Sequence, residues 1–320
     1  MRAFSFKVSS IAKNLSILAI ITLFSSVAIS AQAQATAADL TGTVTDPNGA
    51  VVAGATVTAK NSATNISRSV TSNENGEYSF IALPPGSYEI TSEASGFKKS
   101  VIPVTLTIGQ SASLAIKLEI GSQDLVVNVD AGSVELLETT RTTVANTIDQ
   151  KTINNLPVNE RSATGFALTI STVGRDNGRP IGPAPTSGLN IGGQRGRSTL
   201  VQVDGADFTD NSINAARSTV SQEAVQEYQV TTNSYMPEFG RATGGIVNVV
   251  TKGGGNEFRG NVFGFLRHKS IQSRNAFAPV IDNDPNKKPP YTRVQYGLTF
   301  GGPLVKDRTF FFYSFEQRRR

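Results

Sequence analysis

The chain is 320 residues long, has no cysteine, has one histidine (His268) and carries a formal charge of +5. The absence of cysteine excludes thiolate catalysis, disulfides and Cys-ligated metal centres, and a lone histidine cannot build a multi-His site. Without Arg2, Lys7 and Lys13 the balance is 27 basic against 25 acidic residues, too even to draw the chain to nucleic acid or to an anionic surface.

Residues 1–35 read as a signal peptide. Arg2, Lys7 and Lys13 form a basic start, Leu15 to Ile29 an apolar run, and "AQAQA" offers small-x-small cleavage after Ala33 or Ala35. The apolar run has 15 residues, short of the roughly 20 that a spanning helix needs. No other stretch is long and apolar enough, so a membrane crossing would have to be made with strands.

From Asp39 to Ile120, β-branched runs alternate with turn signals at "DPNG" (Asp46–Gly49), "NENG" (Asn73–Gly76) and "PPG" (Pro84–Gly86). Strands are expected at Ala55–Ala59, Arg68–Thr71, Tyr78–Ile81 and Tyr88–Thr91. Val57, Val70, Tyr78, Phe80, Leu83, Tyr88, Ile90 and Phe97 are the candidate core of a β-sandwich.

Residues 123–252 are mixed. "DLVVNVDA" (Asp124–Ala131) is a short strand, and "TVANTIDQKTINNLP" has helix and loop character with a stop at Leu156-Pro157. Strands are expected at Leu200–Val203, in the second half of Ala224–Ser234 and at Ile246–Val250. "GGQRGR" (Gly192–Arg197), with Arg195 and Arg197, is a single occurrence and reads as a loop rather than an RNA-binding repeat. Asp204, Asp207 and Asp210 stand three apart, whereas a calcium loop needs oxygens at alternate positions, so the expectation is a solvated loop. "GGGNEFRG" lacks the Gly-Lys-Ser/Thr end of a phosphate loop.

Beyond Glu257 the pattern turns dyadic. Phe258, Gly260, Val262, Gly264 and Leu266 share one parity; Arg259, Asn261, Phe263, Phe265 and Arg267 share the other. Val294, Tyr296, Leu298 and Phe300 oppose Arg293, Gln295, Gly297 and Thr299, and Phe311, Tyr313 and Phe315 oppose Phe310, Phe312, Ser314 and Glu316. One greasy and one wet side is what a lipid-facing barrel strand requires, and an 11-residue strand tilted about 40° rises about 28 Å. Lys269–Pro290 reads as a long loop and "GGPLVKDR" as a tight turn. Gly253–Gly255 reads as a hinge between the buried run at Ile246–Val250 and the wall.

Several of these segments resemble known families. "GTVTDPNGAVVAGATVTA", "TSNENGEYSFIALPPGSYEI" and "SGF" resemble the carboxypeptidase regulatory-like domain, which implies a transthyretin-like seven-stranded sandwich and, in some members, a carbohydrate-binding-like fold. "IGGQRG", "VQVDG", "AVQEYQV" and "EFGRATGGIVNVVTK" resemble the plug of TonB-dependent outer-membrane receptors. "INNLPVNERS" and the sandwich-before-plug order are similar to the Oar-like group, with Glu160 standing where that group has Gly.

The resemblance implies a mainly β chain. It would hold a signal peptide (1–35), the sandwich (39–120), an α+β plug (123–252) and the first strands of a transmembrane β-barrel (257–320) that closes with roughly 22 strands. It also implies a non-enzymatic receptor or transporter, without cofactor, in the Gram-negative cell outer membrane, with sandwich and plug on the periplasmic side. Its partners would be the TonB energy-transducing complex, outer-membrane lipid and an unidentified substrate, carbohydrate and peptide being open classes. The candidate TonB box is Asp124, Leu125, Val126, Val127, Asn128 and Val129; Arg195, Arg197, Asp204 and Asp207 mark the plug loop. Three strands cannot close a barrel, so the chain is expected to be the amino-terminal part of a longer receptor. The competing reading is an outer-membrane-anchored adhesive or carbohydrate-binding surface protein.

Overall fold

A computed structural model describes residues 36–121, 126–128, 143–156, 161, 163–175, 189–210, 215, 216, 220–233, 239, 240, 242–274, 281, 282, 284 and 286–319. The signal-peptide reading, Glu160, and Asp124, Leu125 and Val129 lie outside the described residues.

Strands β1 (Ala38–Thr45), β2 (Thr56–Asn61), β3 (Ser67–Thr71), β4 (Glu77–Leu83), β5 (Gly86–Glu93), β6 (Lys99–Leu106), β7 (Ser111–Ser113) and β8 (Ile116–Lys117) form a two-sheet sandwich. One sheet has β1 between β4 and β7, with β8 also on β1; the other runs β3-β2-β5-β6. Alternate residues point inward, as half-buried sheets demand. Val57, Tyr78, Phe80, Leu83, Tyr88 and Ile90 are buried as expected, and Val70 and Phe97 pack at the edge of the core. The other half of that core, Leu40, Val44, Ile102, Val104, Leu106, Leu114, Ile116 and Leu118, comes from strands outside the four expected and from the residues that follow β7 and β8. A side chain at Gly42 would run into the Leu114 carbonyl, so only glycine lets the chain after β7 lie against β1.

β9 (Val126–Asn128) corrects one expectation. It pairs in parallel with β6, Val127 opposite Ser100, and so extends the sandwich sheet instead of joining the sheet that follows. A three-residue strand carries no mark of its partner.

The middle sheet is built from β10 (Val144–Ile148), β13 (Thr199–Val203), β14 (Ala206–Asp207), β17 (Val225–Asn233) and β18 (Gly245–Thr251), in the order β10-β17-β18-β13-β14. β10 and the whole of β17 exceed the expectation. Around the sheet lie helix α1 (Gln150–Asn155), a 3-10 turn at Ala163–Thr169, and two short ribbons, β11 (Val173–Arg175) with β12 (Leu189–Ile191) and β15 (Thr209–Asp210) with β16 (Ala215–Ala216). Asp149 caps α1 by accepting from the Thr152 amide at 2.9 Å, and the Thr152 side chain together with that amide holds its carboxyl below the usual range. One sheet face carries Ile148, Val201, Tyr228, Val230, Val247 and Val249 and is covered by Ile153, Phe166, Val173 and Ile191. Val225 and Tyr228 both reach this core despite their odd spacing because a bulge between Val225 and Glu227 resets the parity.

β19 (Arg259–His268), β20 (Thr292–Val305) and β21 (Thr309–Arg319) make an antiparallel three-stranded sheet. The expected turn "GGPLVKDR" shrinks to Lys306–Arg308, since Gly301–Val305 continue β20 and Pro303 pairs with Phe310. Phe258 stacks on Phe300 with centroids 5.8 Å apart, over a surface that Gly302 leaves bare of side chain.

Candidate functional site

The three β-strands of the last sheet have two unlike faces. Val262 is 83% exposed and Leu266 61%, with Tyr296, Leu298, Phe300, Tyr313 and Phe315 exposed beside them. On the other face Phe263, Arg293, Gln295 and Thr299 are buried. Gly297 makes room there for the Phe263 ring, whose Cζ lies 2.6 Å from where a Cβ would stand. The apolar face is therefore the uncovered one, the reverse of a water-soluble sheet.

The middle module covers the buried face. Arg161 lies 3.8 Å from the centroid of the Phe265 ring and pairs with Glu223. Glu223 also accepts from Asn261 Nδ2 at 3.2 Å, and Ser221 donates to Glu316 at 2.6 Å. Glu316 accepts in turn from Gln295 (2.8 Å) and Arg318 (2.5 Å). Lys252 sits near Glu223, with its ammonium pushed below the usual range by burial and only partly held up by that carboxylate. Neither Arg161 nor Glu223 stood out in the sequence, and Glu316 was marked only by its place on the wet side of its strand, because each is an ordinary polar residue until the fold gives it a partner.

The sequence-marked residues scatter. Val126–Asn128 form β9 on the sandwich edge. Arg195 is exposed beside the Gly192–Gly193 turn, and Arg197 lies in a 3-10 turn at Gly196–Ser198. Asp204 takes φ +50° and accepts from the Thr251 amide and hydroxyl, both at 2.8 Å, so it ties the β13 turn to the end of β18. Asp207 accepts from the Thr209 amide at 2.8 Å. Both aspartates hold backbone, and no group of three metal-ligating side chains occurs among the described residues.

The sandwich meets both other modules. Ile108, in the turn between β6 and β7, donates its amide to Glu227 at 2.8 Å, and its carbonyl accepts from Gln229 Nε2 at 2.7 Å. Burial pushes the Glu227 carboxyl up, and the Ile108 amide partly offsets that. At the far end, Asn65 donates to Asp307 (3.0 Å), Asn256 donates to the same oxygen (2.8 Å), and the Asn256 amide donates to the Ala63 carbonyl (2.9 Å).

Comparison with known proteins fits this order of parts. Residues 39–119 match the carboxypeptidase regulatory-like domain and residues 250–320 the outer membrane beta barrel domain. The TonB-dependent transporter Oar of Myxococcus xanthus is 30% identical over 297 residues, covering 90% of this chain and 26% of that protein. The chain thus spans about a quarter of that relative's length. Among solved structures, the siderophore receptors PirA of Acinetobacter baumannii (20% identity, TM-score 0.40, 54% of this chain and 24% of that one) and of Pseudomonas aeruginosa (19%, 0.37, 54% and 28%) align. Sandwich, middle sheet and two-faced strands in succession define an outer-membrane protein with an amino-terminal carboxypeptidase regulatory-like domain. Within that class the chain is similar to the Oar-like TonB-dependent transporters.

Proposed function

We propose that the chain serves an outer-membrane TonB-dependent receptor that takes up a substrate through its barrel, not as an enzyme. In this reading the middle sheet with its loops is the plug, the transthyretin-like sandwich stands on the periplasmic side, and Asp124–Val129 is the segment that TonB engages. One observation carries it: the middle module packs on the polar face of β19–β21 through Arg161, Glu223 and Ser221, while the apolar face stays bare. A plug inside a wet barrel needs that polarity, and hydrocarbon outside needs the other. The isolation of β9 on a sheet edge supports the motor segment, since a motor that adds a strand needs an exposed edge. Tyr78, Phe80 and Tyr88 are buried, so these rings offer no stacking surface for sugars, which weighs against adhesion through the sandwich.

The test is binding of purified TonB carboxy-terminal domain to the detergent-solubilised chain, followed by calorimetry. Binding that disappears on deletion of Asp124–Val129 supports the assignment; undiminished binding by the deleted form overturns it.

A further inference from the structure

Gln229 belongs to a polar row that crosses the middle sheet, and Glu227 lies two residues before it on β17. Thr147, Gln229, Asn248 and Gln202 stand opposite one another on β10, β17, β18 and β13, and Asp207 continues the row on β14. Asn248 is 3% exposed, yet its Oδ1, like the buried Oε1 of Gln202, has no hydrogen-bond partner among the described residues. The Thr107–Gln110 turn of the sandwich docks on this face through Ile108, and Gln226 adds a longer contact to the Pro85 carbonyl at 3.4 Å. A permanent joint would be expected to bury apolar surface there. Here the buried Ile108 side chain is accompanied by a carboxylate and amide groups taken out of water, a cost that is recovered whenever the faces separate.

The second contact has the same character. Asn65 (φ +58°) and Asp307 (φ +61°) both sit in the left-handed region, which asparagine and aspartate tolerate, and their side chains meet each other. Asn256 completes the contact from the segment that joins the middle sheet to β19. The sandwich therefore holds the middle sheet with one turn and the β20–β21 turn with another loop.

We infer that the sandwich is a releasable clasp spanning the joint between the middle sheet and the first barrel hairpins, closed by Ile108 on Glu227 and Gln229 at one end and by Asn65 on Asp307 at the other. While it is closed, the middle module cannot shift relative to the β20–β21 turn without breaking one of the two contacts. When it opens, every separated polar group finds water. This holds whichever partner drives the movement.

The Ile108 amide reports the opening, because its hydrogen bond is made to the other module. In the full chain in lipid, hydrogen exchange at Ile108 is expected to run well ahead of Phe80 in the sandwich core and Val247 in the middle sheet. The chain has no cysteine, so Ser62→Cys with Arg308→Cys introduces a clean pair beside the second contact that leaves Asn65 and Asp307 in place. Bridging that pair with a short bismaleimide is expected to slow Ile108 exchange about tenfold, since the sandwich must move as a body to uncover it. Exchange of Ile108 no faster than the two cores would mean a permanent joint and overturn the inference. Fast exchange unaffected by the bridge would mean local fraying of the turn, and would overturn it too.

Discussion

Glu227 and Ile108 lie 119 residues apart and meet through one 2.8 Å bond, in which a buried carboxylate accepts a buried amide of another module. Glu227→Ala would leave that amide with no acceptor, at a cost of about 1–3 kcal/mol. Glu227→Gln keeps an acceptor and removes the desolvated charge. Because the folded carboxyl is raised above its usual value of 4.5, its contribution is complete at pH below that value and is lost as pH rises through the raised one. The wild-type chain should therefore lose thermal stability relative to Glu227→Gln as pH is raised from about 4 to about 8. Melting curves of the two proteins across that range test it; parallel curves would show that Glu227 has no raised pKa.

Val262 and Asn261 are neighbours in the chain on opposite faces of β19. Val262→Arg should cost about 2–4 kcal/mol if it faces the bilayer midplane. Asn261→Arg retains a donor beside Glu223 and should cost little. Folding yields of the two variants in vesicles against denaturant separate these outcomes. Equal tolerance would remove Val262 from hydrocarbon.

A matched pair of glycines tests the two faces by volume. Gly297→Val would drive a side chain into the Phe263 ring and the Phe315 carbonyl, while Gly264→Val meets no neighbour within 4 Å. The first should fall in the overpacking range of about 1–3 kcal/mol, while the second should be close to neutral. Heat-induced changes in gel mobility would rank them, and a reversed order would mean that the polar face is not the packed one.

The last sheet was the most legible part of the chain, because a two-residue period with one wholly apolar side suits a strand between lipid and water and little else. Leu298 and Thr299 take the sides their parity assigns. Its turn was misread because "GGP" usually breaks a strand, whereas here Gly302 accommodates the Phe258 ring and Pro303 sits within β20. In the sandwich, turn chemistry exposed four strands, but β6 and the segments after it carry weaker turn signals. The joints were illegible for a different reason. Ile108 looks like a surface turn residue, yet it is completely buried and its backbone bonds to Glu227 and Gln229 of a distant segment. Arg161 and Glu223, 62 residues apart, likewise form a pair only once the middle module has folded. Local pattern encodes which face of a strand is greasy; it does not encode which module will cover a polar residue.

Presentation of β9 by the sandwich gives the last prediction, which rests on the proposed motor segment. Pro103 of β6 pairs with Glu89 of β5, and proline has no amide hydrogen to give. That pair must therefore be the kind without mutual hydrogen bonds, which points the main-chain groups of residue 103, and by alternation those of Val101, away from β5. Val101 faces β9, opposite Asn128. Val101→Pro should thus strip β9 from the sheet and leave the β5–β6 pairing whole. If the sandwich pre-orders the segment, TonB-domain binding should weaken, since ordering a residue costs roughly 1–2 kcal/mol that the sheet otherwise supplies. Val127→Pro, within the segment itself, should abolish binding altogether. Loss with Val127→Pro but unchanged affinity with Val101→Pro would keep the motor segment and reject its presentation by the sandwich. Full binding by both would reject the segment.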